Sequence, residues 1–98
     1  MNFFMATIML PEDPDDEFWN LIPSQRAQIN NWIQEGVVQV YSLSADRTCL
    51  WVIFYAESYL KVDDYIKAMP MIDYFDTYDV AELAMHQNVS MMPVMSLN

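Results

Sequence analysis

One glycine, one cysteine, one histidine and four basic residues stand in a chain of 98, and each scarcity removes a class of function. A single cysteine, Cys49, excludes an intrachain disulfide. It lies in the apolar run TCLWVIFYA, where a buried, unreactive thiol is the expectation. With one histidine and one cysteine, a zinc site would need several carboxylates, so no metal is expected. A lone glycine leaves no glycine-rich phosphate loop, and no serine or cysteine stands in a nucleophile motif. The four bases, Arg26, Arg47, Lys61 and Lys67, face fourteen acids for a net charge of −10. Such a charge repels phosphate backbones and anionic head groups, so neither nucleic acid nor a membrane surface is an expected partner. The opening stretch MNFFMATIML is too short to span a bilayer, lacks a basic flank and runs straight into PEDPDDE. It does not read as a signal peptide, and the expected location is cytoplasmic.

What the chain has in quantity is apolar side chain. Hydrophobic residues make up 54% and aromatic ones 14%, which is incompatible with a disordered chain. The length suits one domain, residues 1–98, with one core. The apolar fraction exceeds what one small core needs, and the surplus points to an oligomer interface.

Hydrophobic periodicity divides the chain into six elements. Asn2 to Leu10 is apolar on both alternating faces, a strand covered on both sides. PEDPDDE is a loop whose acids suit a following helix N-terminus. Phe18, Leu21, Ile22, Gln25, Ile29, Trp32 and Ile33 form one stripe of a helix over Asp16 to Glu35. Pro23 either kinks that helix or moves its start to Ile22. Gly36 is suited to end it in a left-handed conformation. Val37 to Ser44 and Cys49 to Ala56 read as a hairpin around SADRT. Ser58 caps a second helix with Val62, Tyr65, Ile66 and Met69 as its stripe, and Pro70 ends or kinks it. Thr77 to His86 is the last strand. The Met-rich segment 87–98 is either an arm reaching a neighbouring subunit or a loose tail.

The resulting order, β-α-β-β-α-β, predicts an α+β fold of the ferredoxin-like type. Two helices cover one face of a four-stranded antiparallel sheet. The other face stays bare although its strands are apolar there, so a homodimer packed sheet on sheet, or a larger homo-oligomer, is the expectation.

Four segments carry a family pattern. They are IMLPED after the first strand, RAQINNWIQEGVV at the helix-to-strand joint, ESYLKVDDYIKAMPMIDYF through the second helix, and VAELAMHQNVS at the end. The chain resembles the muconolactone isomerase-like family of dimeric ferredoxin-like proteins, over about residues 8 to 88. The resemblance implies a cofactor-free isomerase that moves a proton on a small cyclic acid or lactone. It also implies that the segment after Pro70 closes a ligand cleft between helix and sheet. Such chemistry needs a base, stabilisation of dienolate charge and a cation or donors for a carboxylate. Two departures stand out. The pattern has an acid near Gln25 and a base near Ser42 or Leu43, where this chain is neutral.

Candidate site residues follow. His86, at the end of the last strand, is a base or donor near neutral pH, or else a surface histidine. Glu82, four residues earlier, shares its face if the strand is regular, as does Tyr78, and desolvation would raise its pKa into a useful range. Its alternative is an edge position open to water. Arg26 beside the helix stripe is suited to hold a carboxylate in a two-point contact, or to pair with a surface acid. Tyr41, Trp51, Tyr55 and Tyr74 could bind a flat ring, or pack the core and the interface. Asp46 and Arg47, in the hairpin turn, are expected to be solvated. The readings that compete with the isomerase on this fold are a non-catalytic small-molecule binding module and a structural oligomerising protein. A cofactor-free oxygenase enters by analogy alone.

Overall fold

In a computed structural model, described over residues 1–87, the elements run β1 (Asn2–Met9), α1 (Asp16–Asn20), α2 (Ile22–Gln34), β2 (Val38–Leu43), β3 (Cys49–Ala56), α3 (Tyr59–Lys67), a 3₁₀ turn (Ile72–Tyr74) and β4 (Thr77–Glu82). The strands form one antiparallel sheet in the order β2-β3-β1-β4. This is the ferredoxin-like arrangement that the element order implies. The expected interface arm falls at the edge of the described residues and almost wholly outside them. Among the described residues no helix is long and apolar enough to cross a membrane.

The helix boundaries follow from local chemistry. Asp15 caps α1 by accepting from the Phe18 amide at 3.0 Å. The chain then breaks at Leu21, and Pro23 stands in the first turn of α2. A missing amide proton is no loss there. The long helix expected from the stripe is therefore two helices, with the proline starting the second. At the end of α2, Gly36 adopts φ +79°. Its amide donates to the Ile33 carbonyl at 3.1 Å and the Val37 amide to that of Trp32 at 2.8 Å. That is a Schellman stop, which needs the left-handed residue that glycine supplies at least cost. Ser58 caps α3 by accepting from the Lys61 amide.

The core lies between the helices and one sheet face. The even-numbered residues of β1, Phe4, Ala6 and Ile8, are buried with Val52 and Phe54 of β3 and with Val62, Ile66 and Met69 around α3. The odd-numbered residues Phe3, Met5 and Thr7, with Trp51 and Tyr55 of β3, look out from the opposite face and are half-buried. One irregularity decides what the edge strand presents. Val38 pairs with Phe54 and Val40 with Ile53, so Gln39 is an extra residue, a β-bulge. Its side chain donates to the Gly36 carbonyl at 2.8 Å. Beyond the bulge the alternation is inverted, and Tyr41 and Leu43 pair with Val52 and Leu50 on the helix side.

Candidate functional site

A cleft of about 840 Å³ opens between α2, the far half of β2 and the end of β1, with the hairpin turn at one rim and the segment after Pro70 at the other. Its walls are mostly apolar: Leu10, Phe18, Ile29, Leu50, Met71 and Phe75 all contribute. Met71 and Phe75 reach it because α3 stops at Lys67 and the 3₁₀ turn folds the chain back towards the sheet.

The polar groups at this cleft are few. Gln25 is buried, 3% exposed, in the stripe of α2. Its amide nitrogen donates to the Tyr41 hydroxyl at 3.2 Å and to the Met69 sulfur at 3.3 Å, and its carbonyl accepts from the Met71 amide at 3.2 Å. One side chain thus ties α2 to β2 and to the turn after α3, with every amide group used. Burial raises the pKa of Tyr41, against smaller lowering effects of the Gln25 hydrogen bond and the Arg26 charge, so its hydroxyl is protonated at neutral pH.

Arg26, one residue along α2, lines the same cleft, and so does Arg47 from the hairpin turn. Arg47 is exposed, as expected for the hairpin turn, and it also stands at the cleft rim. The turn explains why. Asp46 accepts from the Ser44 hydroxyl at 2.7 Å and from the Thr48 amide and hydroxyl, and these bonds, the Ser44 one foremost, lower its pKa. They fold a tight loop in which Arg47 takes φ +66°, an uncommon conformation for a residue with a Cβ. A cation therefore reaches the cleft although positions 42 and 43 are neutral.

The other expected site residues lie elsewhere. The last strand ends at Glu82, not His86, so the two do not share a strand face. Glu82 pairs with Phe4 on the helix side, is exposed, and accepts from the Asn2 side chain at 2.6 Å. His86 lies past the strand with its ring 4.9 Å from that of Phe3, on the opposite face. Both stand near the start of β1, whereas the cleft begins at Leu10, just past the end of β1. Phe4 and Leu10 are six steps of extended chain apart, roughly 20 Å. Trp51 pairs with Thr7 and Tyr55 with Phe3, both on the open face, and the Tyr55 ring is 4.8 Å from that of Phe3. Tyr78 points to the helix side and donates to Asp63 of α3. Tyr74 donates to Asp15 at 2.9 Å, and desolvation with that acidic partner pushes its pKa up to about 12. It straps the post-Pro70 segment to the first helix beside the cleft. Of the residues singled out from the sequence, the cleft brings together Arg26 and Tyr41. Arg47 and the hydrogen-bonding role of Gln25 were missed. The signals for both were present: a polar residue inside an apolar stripe, and a lone cation in a turn otherwise made of small and acidic residues.

A four-stranded antiparallel α+β protein with a ligand-sized cleft between helix and sheet is the class that this geometry defines. The muconolactone delta-isomerase family model matches residues 1–89, and the chain belongs to that family. A solved muconolactone isomerase is 19% identical, covering 89% of this chain and 93% of that one, with a TM-score of 0.65. The 5-chloro-2-hydroxyhydroquinone dehydrochlorinase from Burkholderia phenoliruptrix, solved with 2,5-dihydroxybenzoquinone, is also 19% identical. It covers 80% of this chain and 90% of its own, with a TM-score of 0.54. No curated protein matches the chain significantly.

Proposed function

We propose that this protein is a cofactor-free isomerase that moves a proton on a small cyclic acid or lactone bound in the cleft between α2 and β2. The observation that carries the reading is the presence of Arg26, Arg47 and Tyr41 together in the lining of one mostly apolar cleft, in a family described as a delta-isomerase. Two guanidinium groups concentrate positive potential locally, which offsets the net charge of −10 for an anionic ligand. Apolar walls suit the ring. The reaction needs no oxidant. A base takes a ring proton, the electron pair moves through the conjugated system onto oxygen, and the proton returns at another carbon.

The base comes from the cleft itself. Gln25 cannot titrate, and Glu82 and His86 lie at the far end of β1. Glu12 and Asp46 are the carboxylates among the cleft-lining residues. Asp46 is committed to its turn, which leaves Glu12 for the role.

We also infer self-association through the open sheet face. Phe3, Met5, Trp51 and Tyr55 form an apolar surface there with no helix over it among the described residues, and a second copy would cover it. His86, packed on Phe3, would lie at that interface.

The test is NMR of butenolides and small aromatic acids incubated with the protein in deuterated water. Exchange of the acidic ring proton that is lost in Glu12→Gln and weakened in Arg26→Ala supports the isomerase. Absence of exchange across the panel, with ligand-induced thermal stabilisation intact, would replace it with a binding module.

A further inference from the structure

Gln25 holds more information than its burial suggests, because its amide can point only one way. The Met71 amide proton is aimed at the side-chain oxygen at 3.2 Å. Exchanging the oxygen and nitrogen would set two donors against each other and leave the Met71 N–H unsatisfied. The nitrogen must therefore face Tyr41, donating to the hydroxyl oxygen at 3.2 Å, with its second proton on the Met69 sulfur at 3.3 Å. The group that Gln25 turns to the phenol is a donor, so it cannot accept the phenolic proton. That proton is turned away from Gln25 while both residues line the cleft.

We propose that Tyr41 is the hydrogen-bond donor to the ligand oxygen on which negative charge collects, and that Gln25 is the positioning residue that directs its proton there. The ligand group is an enolate, a phenolate or a ring carbonyl becoming one. The assignment deepens the isomerase reading and rests on the cleft being its site. It gives a purpose to a neutral residue in a stripe position where a carboxylate would do the opposite. A carboxylate at position 25 would accept the Tyr41 proton and leave the cleft facing a lone pair. The raised pKa of Tyr41 agrees with a hydroxyl that stays protonated and donates. Donation to a developing charge in a mostly apolar cleft is the interaction that lowers a barrier of this type.

The probe is 4-nitrophenolate, added to the full-length protein at a pH where it is ionised and followed by difference absorption. A donor at the phenolate oxygen moves the visible band to shorter wavelength. The wild type should bind with that shift. Tyr41→Phe should bind on the order of tenfold to a hundredfold more weakly, the ratio for one hydrogen bond to a charged group, with the band shift gone and the melting temperature somewhat lower, because the buried Gln25 amide loses an acceptor. Gln25→Glu should lose the shift with Tyr41 still in place, which a merely structural role of Gln25 does not produce. A wild-type shift in Tyr41→Phe, or no probe binding by the wild type, overturns the donor assignment. A wild-type shift in Gln25→Glu overturns the positioning role. If Gln25→Glu fails to fold, Tyr41→Phe still decides the donor. Failure of the proton-exchange panel with the band shift intact would instead remove the isomerase reading and leave the donor standing.

Discussion

The two faces of the sheet use the same strands and nearly the same kinds of side chain, yet they differ in almost every physical respect. On the helix side, Phe4, Ala6, Ile8, Val52 and Phe54 are 0–2% exposed, with the ring of Tyr65 from α3 stacked on Phe54. One residue along each strand, Phe3, Met5, Trp51 and Tyr55 are only partly buried, and the Phe3 ring packs against those of Tyr55 and His86. The covered face carries the stability of the isolated chain, and its edge opens into the cleft. The open face holds apolar surface that the described residues leave only partly removed from water. Apolar content alone is thus a poor guide to burial in this protein: with no layer described over it, the open face buries Ile53 but leaves its neighbours partly exposed.

Neighbouring substitutions break the comparison most sharply. Phe54→Ala should cost about 3–5 kcal/mol in denaturant unfolding, since it empties a fully enclosed site. Tyr55→Ala, the adjacent residue on the other face, should cost only about 1 kcal/mol in dilute protein. Equal losses would mean that the faces are energetically alike. Met5→Glu tests the open face directly. A charge in the middle of a sheet-to-sheet contact should weaken association by at least about 2 kcal/mol, seen by light scattering as dimer becoming monomer with unchanged circular dichroism. A wild-type protein that is monomeric at micromolar concentration removes the interface altogether.

The cleft edge should respond to charge without responding in stability. Arg47→Gly replaces a side chain held at φ +66° by the residue that tolerates it best. Unfolding free energy should stay within about 1 kcal/mol, while a small aromatic carboxylate binds roughly tenfold more weakly. A large loss of stability would make Arg47 a structural residue of the turn. The smallest effect belongs to the helix flank. The Lys67 ammonium, 2.8 Å from Asp63, and then the Tyr78 hydroxyl hold Asp63 below its ordinary value of 3.8. A carboxyl depressed in the folded chain contributes stability above its unfolded pKa and loses it as pH falls through the folded one. Acidification below about pH 4 should therefore remove a small contribution, and Lys67→Met should flatten that part of the profile. Lys67 is 64% exposed, so solvent screening keeps the effect slight.

The architecture was legible because its signals are local or strictly periodic. Gly36 as the helix stop, Ser58 as a cap, the stripe of α3 and the two-faced apolar pattern of β1 each rest on a few consecutive residues, and their order fixes the fold class. Pro23 showed that the first helix would be interrupted, and the structure chose a new start over a kink because Leu21 already closes α1 onto Glu17 and Phe18. The site was legible only in part. Arg26 and Tyr41 were recognised by residue type, whereas Glu82 and His86 were joined by a spacing that holds only while the strand continues, and β4 stops at Glu82.

The sequence by itself determined the elements, their caps and the surplus of apolar surface, since each depends on propensity and period within one segment. Tertiary structure alone decided which residues meet. The bulge at Gln39 inverts the alternation of β2 and turns Tyr41 and Leu43 to the cleft. Without the extra residue Tyr41 would pair with Trp51 and face the opposite side. Side-chain parity belongs to a pair of strands and shifts with a single unpaired residue, and no segment read alone records which residue that is.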